Sequence, residues 1–139
     1  MSFVVVDASV WVARLVPQDA FHNSVRAWMN SQRMAGSELL SPSLLLAEVS
    51  GAISRRTGDA KLAHLAMEHL EGLPGLRLVE MDHVLLRAAA NLAAELGLRG
   101  ADSIYVAIAS RLDLPLATLD VDQRQRAAAR VTLVDIPIA

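Results

Sequence analysis

At 139 residues, 53% of them hydrophobic and 20% charged, the chain has the composition of a folded globular domain and not of a disordered segment. The formal net charge of −2 does not advertise a polyanionic partner. The lack of cysteine excludes disulfide staples, cysteine-ligated zinc and a thiol nucleophile, and is compatible with a reducing cytoplasm.

No apolar run approaches the roughly 20 residues that span a bilayer, and Met1 to Asp7 lacks the basic start of a signal peptide. The expectation is therefore one cytoplasmic domain over residues 1–139, with no membrane partner. In chain order, Phe3 to Val6 reads as a buried strand and Val10 to Val16 as a helix halted by Pro17. Phe21 to Met34 carries Phe21, Val25, Trp28 and Met29 at helical spacing. Leu39-Leu40 is a short strand ending at Ser41-Pro42, and Ser43 is placed to cap a helix reaching about Arg56. Another helix follows Gly58-Asp59 and ends near Gly72. Leu76 to Glu80 reads as a strand, Asp82 to Leu96 as a helix closed by Gly97, and Asp102 to Leu112 as a further helix. Pro115 to Leu119 and Val131 to Val134 are the remaining strands, with Asp122 to Ala129 helical between them.

Continuously apolar strands separated by helices predict an α/β fold with a parallel sheet covered on both faces. Ligands of such sheets bind beyond the carboxyl ends of the strands, where Asp7 and Asp120 both fall. Of the fifteen acids, four are hard to place on a solvated surface. Asp7 follows Val4-Val5-Val6, Glu48 interrupts Leu44 to Val49, Asp102 opens the almost wholly apolar stretch to Ala109, and Asp120 ends Leu116 to Leu119. Burying a carboxylate costs several kcal/mol unless it is paired or bound to a cation, and no lysine or arginine is adjacent in sequence to any of the four. Their natural joint partner is a hard divalent ion, Mg2+ or Mn2+. Singly, each has a structural alternative: Asp7 and Asp102 as helix caps, Asp120 as a turn former, Glu48 as a side chain reaching a helix edge.

Asp7-Ala8-Ser9, the helix bearing Ala47-Glu48-Val49, Gly100-Ala101-Asp102-Ser103 with its apolar continuation, and Thr118-Leu119-Asp120 occur in that order. This arrangement resembles the PIN-domain ribonucleases, in particular the VapC-type toxins of bacterial toxin–antitoxin pairs, over essentially the whole chain. The resemblance implies a three-layer α/β/α sandwich and a quartet of acids, Asp7, Glu48, Asp102 and Asp120, binding one or two Mg2+ or Mn2+ ions. It implies Asp7 and Asp102 as direct ligands, Glu48 and Asp120 as ligands directly or through water, and Ser9 and Thr118 as hydroxyls that orient the first and last acids. Asp122 is a further acid beside the site, and the fourth ligand lies between Asp120 and Asp122, with Asp120 preferred. The resemblance also implies an RNA substrate, a homodimer and an inhibitory antitoxin, with Trp11, Val12, Leu15 and Trp28 as candidate contact residues.

Arg14, Arg124, Arg126 and Arg130 lie near the acids in sequence and are candidate phosphate contacts, although solvated helix faces explain them equally well. Trp11 is a candidate for base stacking, with helix burial the commoner reason for a tryptophan there. His22, His64, His69 and His83 show no metal-ligand spacing and read as surface. An aspartyl-phosphate phosphatase would want a second acid two residues after Asp7, where Ser9 stands. A silent binding module with the same fold would have no need to keep all four acids.

Overall fold

The computed structural model describes residues 2–139. β1 (Phe3–Val6) is followed by α1 (Ala8–Leu15), α2 (His22–Met34), β2 (Glu38–Pro42), α3 (Leu45–Thr57), α4 (Ala60–Glu71), β3 (Leu76–Val79), α5 (His83–Leu96), α6 (Gly100–Leu112), β4 (Leu116–Ala117) and α7 (Val121–Ala127). The four strands are parallel in the order β3-β2-β1-β4, with Val4 opposite Leu39, Leu39 opposite Leu76 and Val5 opposite Leu116. The β1-to-β2 and β2-to-β3 crossovers run in one direction, and the handedness rule for parallel strands puts their helices α1–α4 on one face, while the return from β3 to β4 carries α5 and α6 to the other. α6 packs against β1, β2 and β4, completing the α/β/α sandwich. The chain winds outward in opposite directions from the β1–β4 pair, so this pair is the topological switch point where open α/β sheets bind ligands.

Buried β-branched strands and the inner faces of α1 and α6 form the core, including Val5, Val6, Val10, Trp11, Tyr105, Val106 and Leu116. Burial of this kind contributes about 1.5–3 kcal/mol for each large apolar side chain. Trp11 meets the demand of its indole by donating to Ser41 Oγ at 3.1 Å, and Ser41 in turn donates to the Val6 carbonyl at 2.6 Å. That satisfied burial bears out helix packing as the commoner reason for Trp11 and removes two alternatives. Trp11 is no free stacking platform, and Trp11, Val12 and Trp28 are core residues, with Leu15 partly covered.

Several local expectations also change. Ser43 does not cap α3: Leu44 holds the N-cap position with no side-chain bond, and the Ser43 N–H is drawn into the sheet by the Val79 carbonyl at 2.9 Å. α6 starts at Gly100 after an Arg99 N-cap, so Asp102 lies inside the first turn and caps nothing. β4 ends at Ala117 because Thr118 to Asp120 turn away into side-chain bonds with the α1 and α7 caps. Val131 to Val134 therefore finds little edge to pair with, and among the described residues its one bridge is Leu133 to Leu116. His64, His69 and His83 are exposed, whereas His22 is partly buried, its Nδ1 lying 2.9 Å from the Ala13 carbonyl.

Candidate active site

Asp7 leaves β1 at the carboxyl edge of the sheet in extended conformation and becomes the N-cap of α1. Its Oδ2 accepts the Ser9 N–H and the Thr118 hydroxyl, each at 3.1 Å, and the residue is only 5% exposed. Capping and a place in the site are thus compatible, since the cap bonds occupy one carboxylate oxygen. Burial raises the Asp7 pKa, the Ser9 and Thr118 hydrogen bonds lower it, and repulsion from Asp120 raises it again, for a net upward shift. Ser9 Oγ also accepts the Leu119 N–H at 3.0 Å, tying the end of β1 to the segment that follows β4.

Glu48 arrives from the first turn of α3 on one face of the sheet, and Tyr105 from α6 on the other. Over the sheet edge, the Tyr105 hydroxyl donates to Glu48 Oε1 at 2.7 Å. Burial raises the Glu48 pKa, the Tyr105 bond opposes it, and Asp7 adds repulsion. Tyr105→Phe is expected to cost about 1.5–3 kcal/mol of stability in denaturant melts at pH 7, the usual net value of a hydrogen bond to a charged group. A variant as stable as the parent would show the bond to be idle.

Asp102 sits one turn before Tyr105 on the same side of α6. Its carboxyl is pushed up to about 6 by burial and by repulsion from Asp7, Asp120 and Glu48, with the Arg99 guanidinium opposing. Asp102 Oδ2 is buried and has no hydrogen-bond partner among the described residues. Asp120 is the N-cap of α7, accepting the Gln123 N–H at 3.2 Å. Asp122 turns away to an ion pair with Arg126 at 2.9 Å, leaving Asp120 as the acid facing Asp7 and Asp102.

The four acids thus share one electrostatic field at the switch point. Among the described residues no three acidic or histidine side chains stand at the spacing of a finished metal cage. The donor set nevertheless fits a hard divalent cation: it is all oxygen, mutually repelling, short of neutralising bases, and includes one buried oxygen with nothing to bind. A groove of about 770 Å³ opens there, lined by Ser9, Glu48 and Asp120 and also by Asp19, Phe21, Arg55 and Arg56.

Of the basic residues singled out by sequence, Arg14 is placed elsewhere and the other three are engaged in bonds of their own. Arg14, at the far end of α1, lines a separate pocket of about 260 Å³ with Ser37 and Gly75, residues that precede β2 and β3 and so mark the opposite edge of the sheet. Arg124 is committed internally, donating to the Thr118 and Val134 carbonyls at 3.3 and 2.8 Å and pairing with Asp135 at 2.9 Å. Arg126 pairs with Asp122 and Arg130 with Glu95. The sequence reading missed Arg55, Arg56 and Arg99, distant in sequence from Asp7 and Asp120. It also missed Tyr105 and Gln123. A signal for Tyr105 was available, since it is the only tyrosine of the chain and lies three residues after Asp102.

The PIN domain family model matches residues 4–129. No curated protein sequence matches this chain. Among solved structures, the chain is similar to the Mycobacterium tuberculosis toxin VapC20 (20% identity, TM-score 0.77, covering 92% of this chain and 96% of that one). It is also similar to VapBC2 of Rickettsia felis (13% identity, TM-score 0.72, 95% and 97% covered) and to FitAcB of Neisseria gonorrhoeae (23% identity, TM-score 0.69, 95% and 96% covered). At these identities the likeness establishes the fold. The family match is independent of it and spans the sheet, the switch point and all four acids, and the chain belongs to the PIN domain family.

Proposed function

We propose that this chain, working as one domain over residues 1–139, is an Mg2+- or Mn2+-dependent endoribonuclease and the toxin of a toxin–antitoxin pair in the cytoplasm. The observation that carries the reading is the quartet of coupled acids with an unpartnered, buried Asp102 oxygen at the switch point of a PIN fold. Asp7 and Asp102 would hold the cation, with Glu48 and Asp120 holding it directly or through water. When bound, such an ion neutralises charge on the phosphoryl group and acidifies water near neutral pH. Ser9 and Thr118 keep Asp7 oriented, and Tyr105 keeps Glu48 turned toward the other acids. Hydrolysis with the 3′-oxygen leaving gives a 5′-phosphate and a 3′-hydroxyl and needs no RNA 2′-hydroxyl. The preference for RNA draws support from the match to VapC20, itself described as a Sarcin-Ricin loop cleaving toxin.

Arg55, which lines the groove, and Arg99, whose charge acts on Asp102, are the proposed phosphate contacts, with Arg56 beside them in the groove lining but already paired with Asp19 at 2.7 Å. Leu62 and Leu65 on α4 and Val84 and Leu86 on α5 are exposed apolar side chains available to a homodimer or an antitoxin. The test is cleavage of RNA by the purified protein. Chelation of divalent ions should abolish it, and added Mn2+ should restore it with 5′-phosphate products. Cleavage that persists in chelator removes the metal from the reading. Expression should arrest growth unless a cognate antitoxin is co-expressed, and normal growth with an active enzyme would make the protein an RNA-processing nuclease instead.

A further inference from the structure

Gln123 is the one large polar side chain of the described residues that is wholly buried, at 0% exposure. It is the third residue of α7 after the Asp120 N-cap, where a glutamine ordinarily turns back to the backbone N–H of the cap. Here it does not. The Asp120 N–H goes to Thr118 Oγ1 at 3.1 Å, and the Gln123 side chain is released inward. Its Oε1 accepts from the Thr118 hydroxyl at 2.9 Å, and its Nε2 points at the Asp102 carbonyl at 3.4 Å, while its own N–H is held by Asp120 Oδ1.

One side chain and its backbone therefore reach three of the four acids: Asp120 directly, Asp102 through that residue's main chain, and Asp7 through Thr118. The Thr118 hydroxyl has one proton and faces two acceptors, Asp7 Oδ2 and Gln123 Oε1, so the amide and the carboxylate share it. A buried glutamine costs about 1–3 kcal/mol if its bonds are not made, and an apolar side chain would fill the same volume without that demand. Packing alone gives no reason for an amide at this position.

We propose that Gln123 is a positioning residue that sets the spacing of Asp7, Asp102 and Asp120 so that the three carboxylates can share one divalent cation. The inference rests on the proposed function of these acids. Gln123 acts through Thr118, Asp120 and the main chain of Asp102.

Gln123→Leu and Gln123→Met remove both amide bonds at nearly constant volume. Mn2+ binding is measured by calorimetry on each folded protein, with thermal melts in metal-free buffer alongside. Both variants should keep the parent circular dichroism, bind Mn2+ about tenfold or more weakly, and lose kcat with little change in KM for RNA. A role confined to packing would move the melting temperature and leave Mn2+ affinity where it was. Folded variants that bind Mn2+ within about twofold of the parent overturn the proposal, because outer-shell partners of metal ligands usually matter by tenfold or more. Failure of both variants to fold overturns it as well, by assigning Gln123 to the core. If the parent binds no Mn2+ that Asp102→Asn removes, the metal-site reading itself falls. If the parent binds Mn2+ in that way and the Gln123 variants do too, only the positioning role falls.

Discussion

Asp102→Asn is expected to make the metal-free protein more stable while cutting RNA cleavage by about a thousandfold or more, the loss that follows when several kcal/mol of cation-based stabilisation goes. The two effects have one cause. At pH 7 the Asp102 carboxylate is ionised inside the fold against its own desolvation and against Asp7, Asp120 and Glu48, which is why its pKa stands at about 6 where an unhindered aspartate has 3.8. A raised carboxyl pKa means that ionisation opposes folding. The contribution to stability is fully present below the unfolded value, and it is lost as pH rises through the folded one. Asp102 is partly solvated, so screening reduces the relief on neutralising it to about 1 kcal/mol, or roughly 2–5 °C in the melting temperature of a domain this size. Differential scanning calorimetry in chelator should show the gain at pH 7 and its disappearance near pH 4, where the parent Asp102 is itself protonated. A destabilised Asp102→Asn protein at pH 7 would mean that the carboxylate has a favourable partner and that its buried oxygen is not waiting for a cation.

How far the sequence could lead to this site depends on the kind of signal each residue emits. Asp7 and Asp120 were legible because each follows an apolar strand, Asp7 directly and Asp120 after a short turn, and the rule placing ligands at carboxyl ends needs only strand identity and direction. Glu48 was legible as a charge inside an apolar helix. Asp102 was found as an acid, but its alternative as a helix cap fell only when α6 proved to begin two residues earlier, at Gly100. Gln123 was invisible. It lies in Val121-Asp122-Gln123-Arg124-Gln125-Arg126, a run whose polarity suggests a solvated helix, and its burial follows from the tertiary bonds of Thr118 and Asp102. The arginines are a similar case. Arg124 is near Asp120 in sequence, but its guanidinium is consumed by carbonyls of Thr118 and Val134. Arg55 and Arg56, remote in sequence, line the groove. Trp11 shows the converse: helix burial, the commoner reason for a tryptophan there, is what the fold has, with Ser41 satisfying the indole inside the core.

The second large effect concerns the cation and runs with the opposite pH sign. At pH 7 or above, saturating Mn2+ or Mg2+ should raise the melting temperature, because a ligand at a hundred times its dissociation constant adds about 2.7 kcal/mol to the folded state. Binding requires ionised acids. Asp102 protonates as pH falls through about 6, and burial has also raised the pKa of Asp7 and Glu48. Protons therefore compete for the site, and the metal-induced shift should shrink between pH 7 and 5 and be nearly absent at pH 4.5. Over the same interval the metal-free protein gains stability as its crowded carboxylates neutralise, so the melting curves with and without the ion should converge from both sides. A surface-bound ion would give a small shift with little pH dependence, because exposed carboxylates stay ionised down to about pH 4. The Asp7→Asn/Asp102→Asn double variant should show neither the metal-induced shift nor the convergence. A shift of equal size at pH 4.5, or one that survives in the double variant, would place the ion away from these acids and leave the unpartnered oxygen of Asp102 as a cost the fold bears for some other reason.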